Sequence, residues 1–225
     1  MIQRVPEPEL MDDIDQVAAY GAADFNAGDD HTLSLILSLV RETASGAPPR
    51  RVIDLGCGPG NITLRLCDAF PESEVIGVDG AAAMLHLARA RAATMHHPPR
   101  FMECSLQHLV ESDLVNTADL IVSNSLLHHL HQPDLLWSLT SGLAVHGCRV
   151  LHRDLRRPFS VSELDRLQRT YLPEAPAVLI QDFRASLAAA FEPDEVTSQL
   201  KRAGLNGLRV ETEDDRYLVV SGLVD

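Results

Sequence analysis

No stretch of this 225-residue chain is apolar for long enough to cross a bilayer. The longest nearly apolar run, Leu33 to Val40, is interrupted by Ser34 and Ser38, whereas a spanning helix needs about 20 apolar residues. The N-terminal MIQRVPEPELMDDIDQ is acidic and lacks the apolar core and small-residue site of a signal peptide. Cysteine is sparse and scattered, at Cys57, Cys67, Cys104 and Cys148, with no C-x-x-C pair. That fits reduced thiols better than a disulfide frame or zinc site, and the expectation is a cytoplasmic protein without a membrane partner. Positive charge is also short: 19 Lys and Arg stand against 32 Asp and Glu, a formal net charge of −13. A protein that grips phosphates needs a basic face, so this balance argues against a nucleic-acid partner. Internal repeats, low-complexity tracts and any signal for an oligomeric state are missing as well. What is present, 45% hydrophobic and 23% charged residues, reads as one globular domain over residues 1–225.

Taken in order, Met11 to Tyr20 suggests a helix with Met11, Ile14, Val17 and Ala18 on one face. Leu33, Ile36, Leu37 and Val40 form a second helical stripe, capped by Asp29 or Asp30 and stopped by Gly46, Pro48 and Pro49. Strands are then predicted from Val52, at Glu74–Asp79, Arg100–Glu103, Asp119–Ser123 and Arg149–Leu155, with helices from Asn61, over Ala81–Ala93 and over Pro133–Leu143. Such alternation predicts a parallel sheet with helices on both faces. It stalls after residue 155. The Ser160–Glu163 capping box opens a helix to Tyr171, another covers Val178–Phe191, and a third runs from Pro193 to Ala203 with Gly204 past its end. Leu208–Glu213 and Arg216–Ser221, joined through Asp214 and Asp215, read as an antiparallel pair.

The stretch Val52-Ile53-Asp54-Leu55-Gly56-Cys57-Gly58-Pro59-Gly60-Asn61 organises the rest. Alternate glycines let backbone approach a ligand closely, and the helix that follows turns its N-terminus toward it. A lone G-x-G says little. Here a preceding strand, an acid within it (Asp54), a following helix and a second strand ending in Asp79, nineteen residues beyond Gly60, coincide. An acid at that place can accept two ribose hydroxyls. A dinucleotide is the competing ligand, but its fingerprint is G-x-G-x-x-G, and Asn61 stands where the third glycine would fall.

DLGCGPG followed by VIGVDGAAAML resembles the first two motifs of the class I S-adenosylmethionine-dependent methyltransferases. DLIVSNSLLHHLHQP and RVLHRDLRRP are similar to the fourth-strand and fifth-strand motifs of that superfamily. The resemblance implies an α/β fold: a Rossmann-like, doubly wound, mostly parallel seven-stranded sheet with a closing antiparallel strand and a helical cap insertion. N-terminal helices (1–50), a cofactor-binding core (51–155), the cap (156–192) and a closing helix with antiparallel strands (193–225) would divide the chain. It implies S-adenosylmethionine as cofactor and S-adenosylhomocysteine as product; the glycine loop with Asp79 and the acidic charge balance add the expectation of a small-molecule acceptor. A non-catalytic binding module or partner subunit, and a protein or RNA methyltransferase, are the alternatives. Gly56, Cys57, Gly58 and Gly60 would pass under the methionine part, with Asp54 ordering that loop or meeting the amino group through water. Asp79 with Gly80 would hold the ribose, Met84 would pack near the adenine, and Ser105 with Leu106 takes the place where many relatives carry an Asp. Asn124 would lie near the reacting methyl, and Tyr20 is the candidate lid. Ser123-Asn124-Ser125-Leu126 lacks the Asn/Asp-Pro-Pro-aromatic turn typical of methyltransferases acting on adenine or amide nitrogen.

His128, His129 and His131 crowd the loop after the fourth strand. A metal site is disfavoured, because no acid or cysteine accompanies them at helical spacing and adjacent side chains diverge. Two readings are left: His128 and His129 as a general base or substrate contact, or loop histidines bonded to backbone. Asp154, ending the fifth strand, would orient a substrate or take a proton, or else pair with the neighbouring Arg156 or Arg157. In the cap, Tyr171, Gln181 and Arg184 are the polar candidates for a substrate-facing side.

Overall fold

The computed structural model describes residues 2–10, 14–43 and 46–225. Two helices, α1 (Ile14–Ala22) and α2 (Asn26–Glu42), precede β1 (Arg51–Leu55). The core continues α3 (Asn61–Ala69), β2 (Glu74–Asp79), α4 (Ala82–Ala92), β3 (Arg100–Glu103), α5 (Leu106–Leu109), β4 (Ala118–Asn124), a 3-10 turn (Leu127–His129), α6 (Asp134–Leu143) and β5 (Ala144–Leu155). Then come α7 (Val161–Tyr171), α8 (Ala177–Ala189), α9 (Pro193–Ala203), β6 (Leu208–Thr212) and β7 (Tyr217–Val224). Met11, expected on the first helix face, lies outside the described residues, as do the side chains of Ile14 and Ala18. Among the described residues no helix is long and apolar enough to cross a membrane.

The strands form one seven-stranded sheet in the order β3-β2-β1-β4-β5-β7-β6. β1 through β5 pair in parallel, and β7 slots in antiparallel to both β5 and β6. Strand alternation divides the core between the two faces. Ile53, Leu55, Ile76, Val78 and Ile121 pack with the wholly buried Trp137 of α6 and with Val196 and Leu200 of α9. Val52, Val75, Leu120 and Val122 pack with Ile36 and Leu39 of α2 and with Ile62 and Leu66 of α3. Asp54 shares the parity of Val52, so it faces α3, where it accepts a 2.6 Å hydrogen bond from Thr63 Oγ. Chain order reverses between β1 and β4, and at such a switch point the carboxyl ends of the strands open a crevice.

Three boundaries differ from expectation. α2 starts at Asn26, so Asp29 is not its cap but a buried residue of its first turn; Asp24 Oδ1 accepts the Asn26 N–H instead. β5 begins at Ala144 rather than Arg149, because its first residues bulge where the pairing jumps from Ala118↔Ala144 to Leu120↔Arg149, with Gly147 at φ +77°. The short α5 had no apolar period long enough to predict it.

Candidate active site

Left-handed backbone shapes the loop after β1. Gly56 holds φ +65°, and a Cβ there would stand 2.6 Å from Leu126 Cδ1. Gly60, at φ +83°, is the residue from which α3 starts. Cys57 N–H donates to Val78 O at 3.0 Å, which ties the loop to the neighbouring strand. Asp79 then accepts from two backbone amides, Gly58 N–H through Oδ2 and Ala81 N–H through Oδ1, each at 2.8 Å. One carboxylate thus fixes the loop after β1 to the turn after β2.

This loop floors a cavity of about 680 Å³, within the range of roughly 300–1,000 Å³ that ligand sites occupy. Asp54, Gly56, Cys57, Gly58, Asp79, Gly80, Met84, Ser105, Leu106, Asn124 and Tyr20 all line it. Gly60 does not; it turns toward Ala88 and Phe101, which a Cβ would crowd at 3.2–3.3 Å. Asn124 accepts from Thr32 Oγ1 at 3.0 Å, and the next residue, Ser125, holds φ +58° where β4 bends into the site. Tyr20 stacks on Phe25 with ring centres 5.1 Å apart, and burial raises its phenol pKa.

Electrostatics at the floor favour a cation. Burial pushes Asp54 up to about 7, against the Thr63 hydrogen bond, with Asp79 and Asp29 adding to the rise. Asp29 is likewise pushed up to about 6, first by burial and against Arg65. Carboxylates held at such cost beside a ligand loop attract a positive group and repel a pyrophosphate.

Against this geometry stand the likenesses to known proteins. A family model described as "Methyltransferase domain" matches residues 52–145. A trans-aconitate 2-methyltransferase of Methylobacterium nodulans is 35% identical over 146 residues, covering 64% of this chain and 50% of that protein. The plantazolicin methyltransferase BpumL, solved with S-adenosylhomocysteine, superposes with a TM-score of 0.76 at 12% identity, over 95% of this chain and 91% of that one. A SAM-dependent methyltransferase from Aquifex aeolicus gives 0.61 at 15% identity, covering 95% of each chain. Residues 52–145 match the methyltransferase-domain family, and the chain has the fold of these S-adenosylmethionine-dependent methyltransferases. It spans half or less of the length of the first trans-aconitate methyltransferases it matches.

On the wall of the cavity beyond β4 and β5 the structure corrects several expectations. Asp154 pairs with neither Arg156 nor Arg157. It lies buried behind the cavity wall, with Oδ1 2.5 Å from His128 Nδ1 and Oδ2 accepting the Leu126 and Leu127 N–H groups at 2.7 and 2.6 Å. Arg157 bonds the Ala190 carbonyl and pairs with Glu192 and Glu195, while Arg156 donates to the Asp214 carbonyl. Burial works against both charges of the His128–Asp154 pair, but each partner outweighs it, so the histidine pKa is raised and the aspartate lowered. His128 and His129 do line the cavity. Their rings do not diverge: the centres are 4.2 Å apart and the planes tilted by 34°. An acid does join them, from the N-terminal segment rather than from helical spacing: Glu7 Oε1 lies 3.4 Å from His128 Nε2 and 3.2 Å from His129 Nδ1. Burial, reinforced by the charge on His128, drops His129 to about 3. Both sequence arguments against a metal therefore fail.

In the cap, Tyr171 lines the cavity, with its hydroxyl 2.6 Å from Asp215. Arg184 and Gln181 do not line it; Arg184 pairs with Asp165 at 2.7 Å, and Gln181 is exposed. Among the lining residues that escaped the sequence reading are Arg153, Arg216 and Tyr217. Arg153 lies 3.5 Å over the Tyr217 ring and bonds Glu213, which also meets His31; Arg216 lies 3.5 Å over the Tyr171 ring. Arg153 was legible as the residue before Asp154, since alternation along β5 sends the two to opposite faces. Arg216 and Tyr217 carried no local signal, because they reach the site only through the antiparallel insertion of β7.

Asp54 supplies a pH-dependent prediction. A carboxyl whose folded pKa exceeds its ordinary 3.8 contributes stability that is full below pH 3.8 and lost as pH rises through about 7. Asp54→Asn keeps an acceptor for Thr63 and removes the buried charge. The variant is expected to melt higher than wild type at pH 8, by on the order of 2–4 kcal/mol, with the gap shrinking toward pH 4. Parallel melting curves at the two pH values would contradict this assignment.

Proposed function

We propose that this protein transfers a methyl group from S-adenosylmethionine to a small molecule carrying a carboxylate. One observation carries the reading: the acid-flanked glycine loop and the Arg216–Tyr171 pair line the same cavity. The loop, Asp54 and Asp79 are the donor end, where a sulfonium and an ammonium suit buried carboxylates. Arg216, with a buried Nε that no acceptor meets, and Tyr171 are the acceptor end, an arrangement suited to a carboxylate. The trans-aconitate methyltransferases similar to this chain act on such an acid by name. Residues 156–192, which carry α7 and α8, form the acceptor-side cap in this reading, and the four free thiols suit a reducing compartment such as the cytoplasm.

In-line displacement neutralises the sulfonium as the methyl leaves, so a dry, oriented site contributes more than acid–base machinery. A carboxylate acceptor is already deprotonated and needs no base. His128 accordingly has no proton to take in this step, and its Nε2 faces Glu7.

Calorimetry with S-adenosylmethionine and S-adenosylhomocysteine tests the donor end: both are expected to bind, NAD is not, and a folded protein that binds neither would overturn the reading. Incubation of a cell extract with labelled methyl donor tests the acceptor end. Label is expected in the small-molecule fraction. Label in protein or RNA would replace the acceptor class, and binding without turnover would leave a cofactor-binding module.

A further inference from the structure

The geometry points to a divalent transition-metal site, of the kind that takes zinc, formed by Glu7 Oε1, His128 Nε2 and His129 Nδ1. One ligand atom from each of these three residues lies within 4.8 Å of the others. The measured separations from Glu7 Oε1, 3.4 Å to His128 and 3.2 Å to His129, suit ligands around one ion. Bonds of about 2.0–2.2 Å place neighbouring ligands roughly 3.0–3.5 Å apart in tetrahedral or octahedral geometry. Two imidazoles and one carboxylate are a donor set that suits zinc, cobalt or iron over magnesium or calcium.

The surroundings orient each donor. His128 Nδ1 is engaged by Asp154, which leaves Nε2, facing Glu7, as the nitrogen that an ion would take in place of a proton. This is the carboxylate–histidine–metal arrangement that fixes a ligand's tautomer and raises its basicity. The backbone of Pro8 hydrogen-bonds the His129 ring, while His129 Nδ1 is buried without a hydrogen-bond partner despite its closeness to Glu7. An unpaired buried nitrogen costs stability unless something else meets it. Ser186 Oγ donates to Glu7 at 3.1 Å.

Glu7 itself is brought in from far along the sequence, and the chain spends several bonds on placing it. Arg4 donates to the carbonyls of Ala189, His128 and Leu130 at 2.6–3.1 Å. Glu9 accepts the His131 N–H at 2.8 Å, and His131 Nε2 lies 2.7 Å from the Glu7 carbonyl. The N-terminal segment is thereby fastened across the 3-10 turn on both sides of Glu7. Because His128 and His129 line the cavity, an ion held by three protein donors sits at its wall with coordination positions to spare. There it would hold and orient the acceptor through one of its oxygens. That role rests on the methyl-transfer reading, whereas metal binding does not, and the two are tested apart.

The test is a Co²⁺ titration of protein stripped with EDTA, followed by visible absorption and then by displacement with Zn²⁺. Wild type is expected to take up one equivalent and develop the intense d–d bands of a low-coordinate nitrogen and oxygen site. Glu7→Ala and His129→Ala should each weaken Co²⁺ binding by about 50-fold or more, a loss on the scale of one removed donor with its orienting bonds. Glu7→Gln, which keeps the side-chain shape and the Ser186 contact, should also weaken it, while the exposed and distant His146→Ala should leave it unchanged. S-adenosylhomocysteine affinity and circular dichroism are read on every variant, so that loss of fold is not mistaken for loss of a ligand. Binding no tighter in wild type than in Glu7→Gln, or a spectrum like that of the hydrated ion, would overturn the proposal whether or not the protein methylates anything.

Discussion

Replacing Asp154 by Asn is expected to destabilise the protein by about 3–5 kcal/mol, read as a drop in the urea midpoint at constant slope. The carboxylate is an acceptor on both sides at once. Oδ1 takes His128 Nδ1, and Oδ2 takes the Leu126 and Leu127 amides. An asparagine has one acceptor oxygen and one donor amide, so with its oxygen on the Leu126 and Leu127 N–H groups its NH₂ faces His128 Nδ1. The ring then keeps a bond there only as the Nε2–H tautomer, and the buried ion pair is lost; the opposite orientation leaves both backbone N–H groups without an acceptor. The 3-10 turn should loosen with it, and turnover should fall by about 100-fold, because His128 and His129 then lose their place in the cavity wall. His128→Ala serves as the comparison. It removes the ring but leaves Asp154 bonded to the backbone, so it should cost less stability while still cutting turnover, with cofactor affinity within twofold of wild type. Equal stability of wild type and Asp154→Asn would mean that this carboxylate does not hold the turn.

The glycine-loop half of the cavity lining was far more legible in the sequence than the half under α7, α8 and β7, and the physical reason is locality. Gly56, Gly58, Asp54 and Asp79 sit within two consecutive strand–loop–helix units. A strand period and a positive-φ requirement are written in neighbouring residues there. The parallel order of β1 to β5 followed from the same alternation. In the other half the contacts are long-range. Glu7 reaches His129 across more than a hundred residues, and Arg216 arrives on the turn before β7. Asp154 illustrates the limit of local reasoning. The adjacent arginines were the plausible partners along the chain, but Arg157 was already committed to Glu192 and Glu195 at the start of α9. The buried carboxylate went instead to the histidine brought alongside by the parallel pairing of β4 and β5. Arg184 failed for a related reason. Its helix was foreseen, but Leu179, Phe183 and Leu187 turn their face of α8 inward, which leaves Arg184 half-exposed beside Asp165 of α7.

Asp79→Ala is expected to weaken S-adenosylmethionine binding by about 100-fold or more. Hydrogen bonds to a charged acceptor are worth about 1.5–3 kcal/mol each, and a ribose offers two hydroxyls to this carboxylate. Losing both amounts to at least about 3 kcal/mol, and every 1.4 kcal/mol is roughly tenfold in Kd. A second loss comes from the loop. Without Oδ2 the Gly58 N–H has lost its acceptor, and without Oδ1 so has that of Ala81. The glycine loop is then no longer tied to the turn after β2, and the cofactor must order it on binding. Asp79→Asn keeps one acceptor and should fall between, at about tenfold. The comparison of the two cofactor forms decides how the carboxylate acts. S-adenosylhomocysteine has the same ribose but no sulfonium charge. Equal losses for both in calorimetry would place the effect at the ribose and the loop. A loss confined to the charged form would mean that Asp79 works through its field alone, and affinity within threefold of wild type for both would remove it from the binding site.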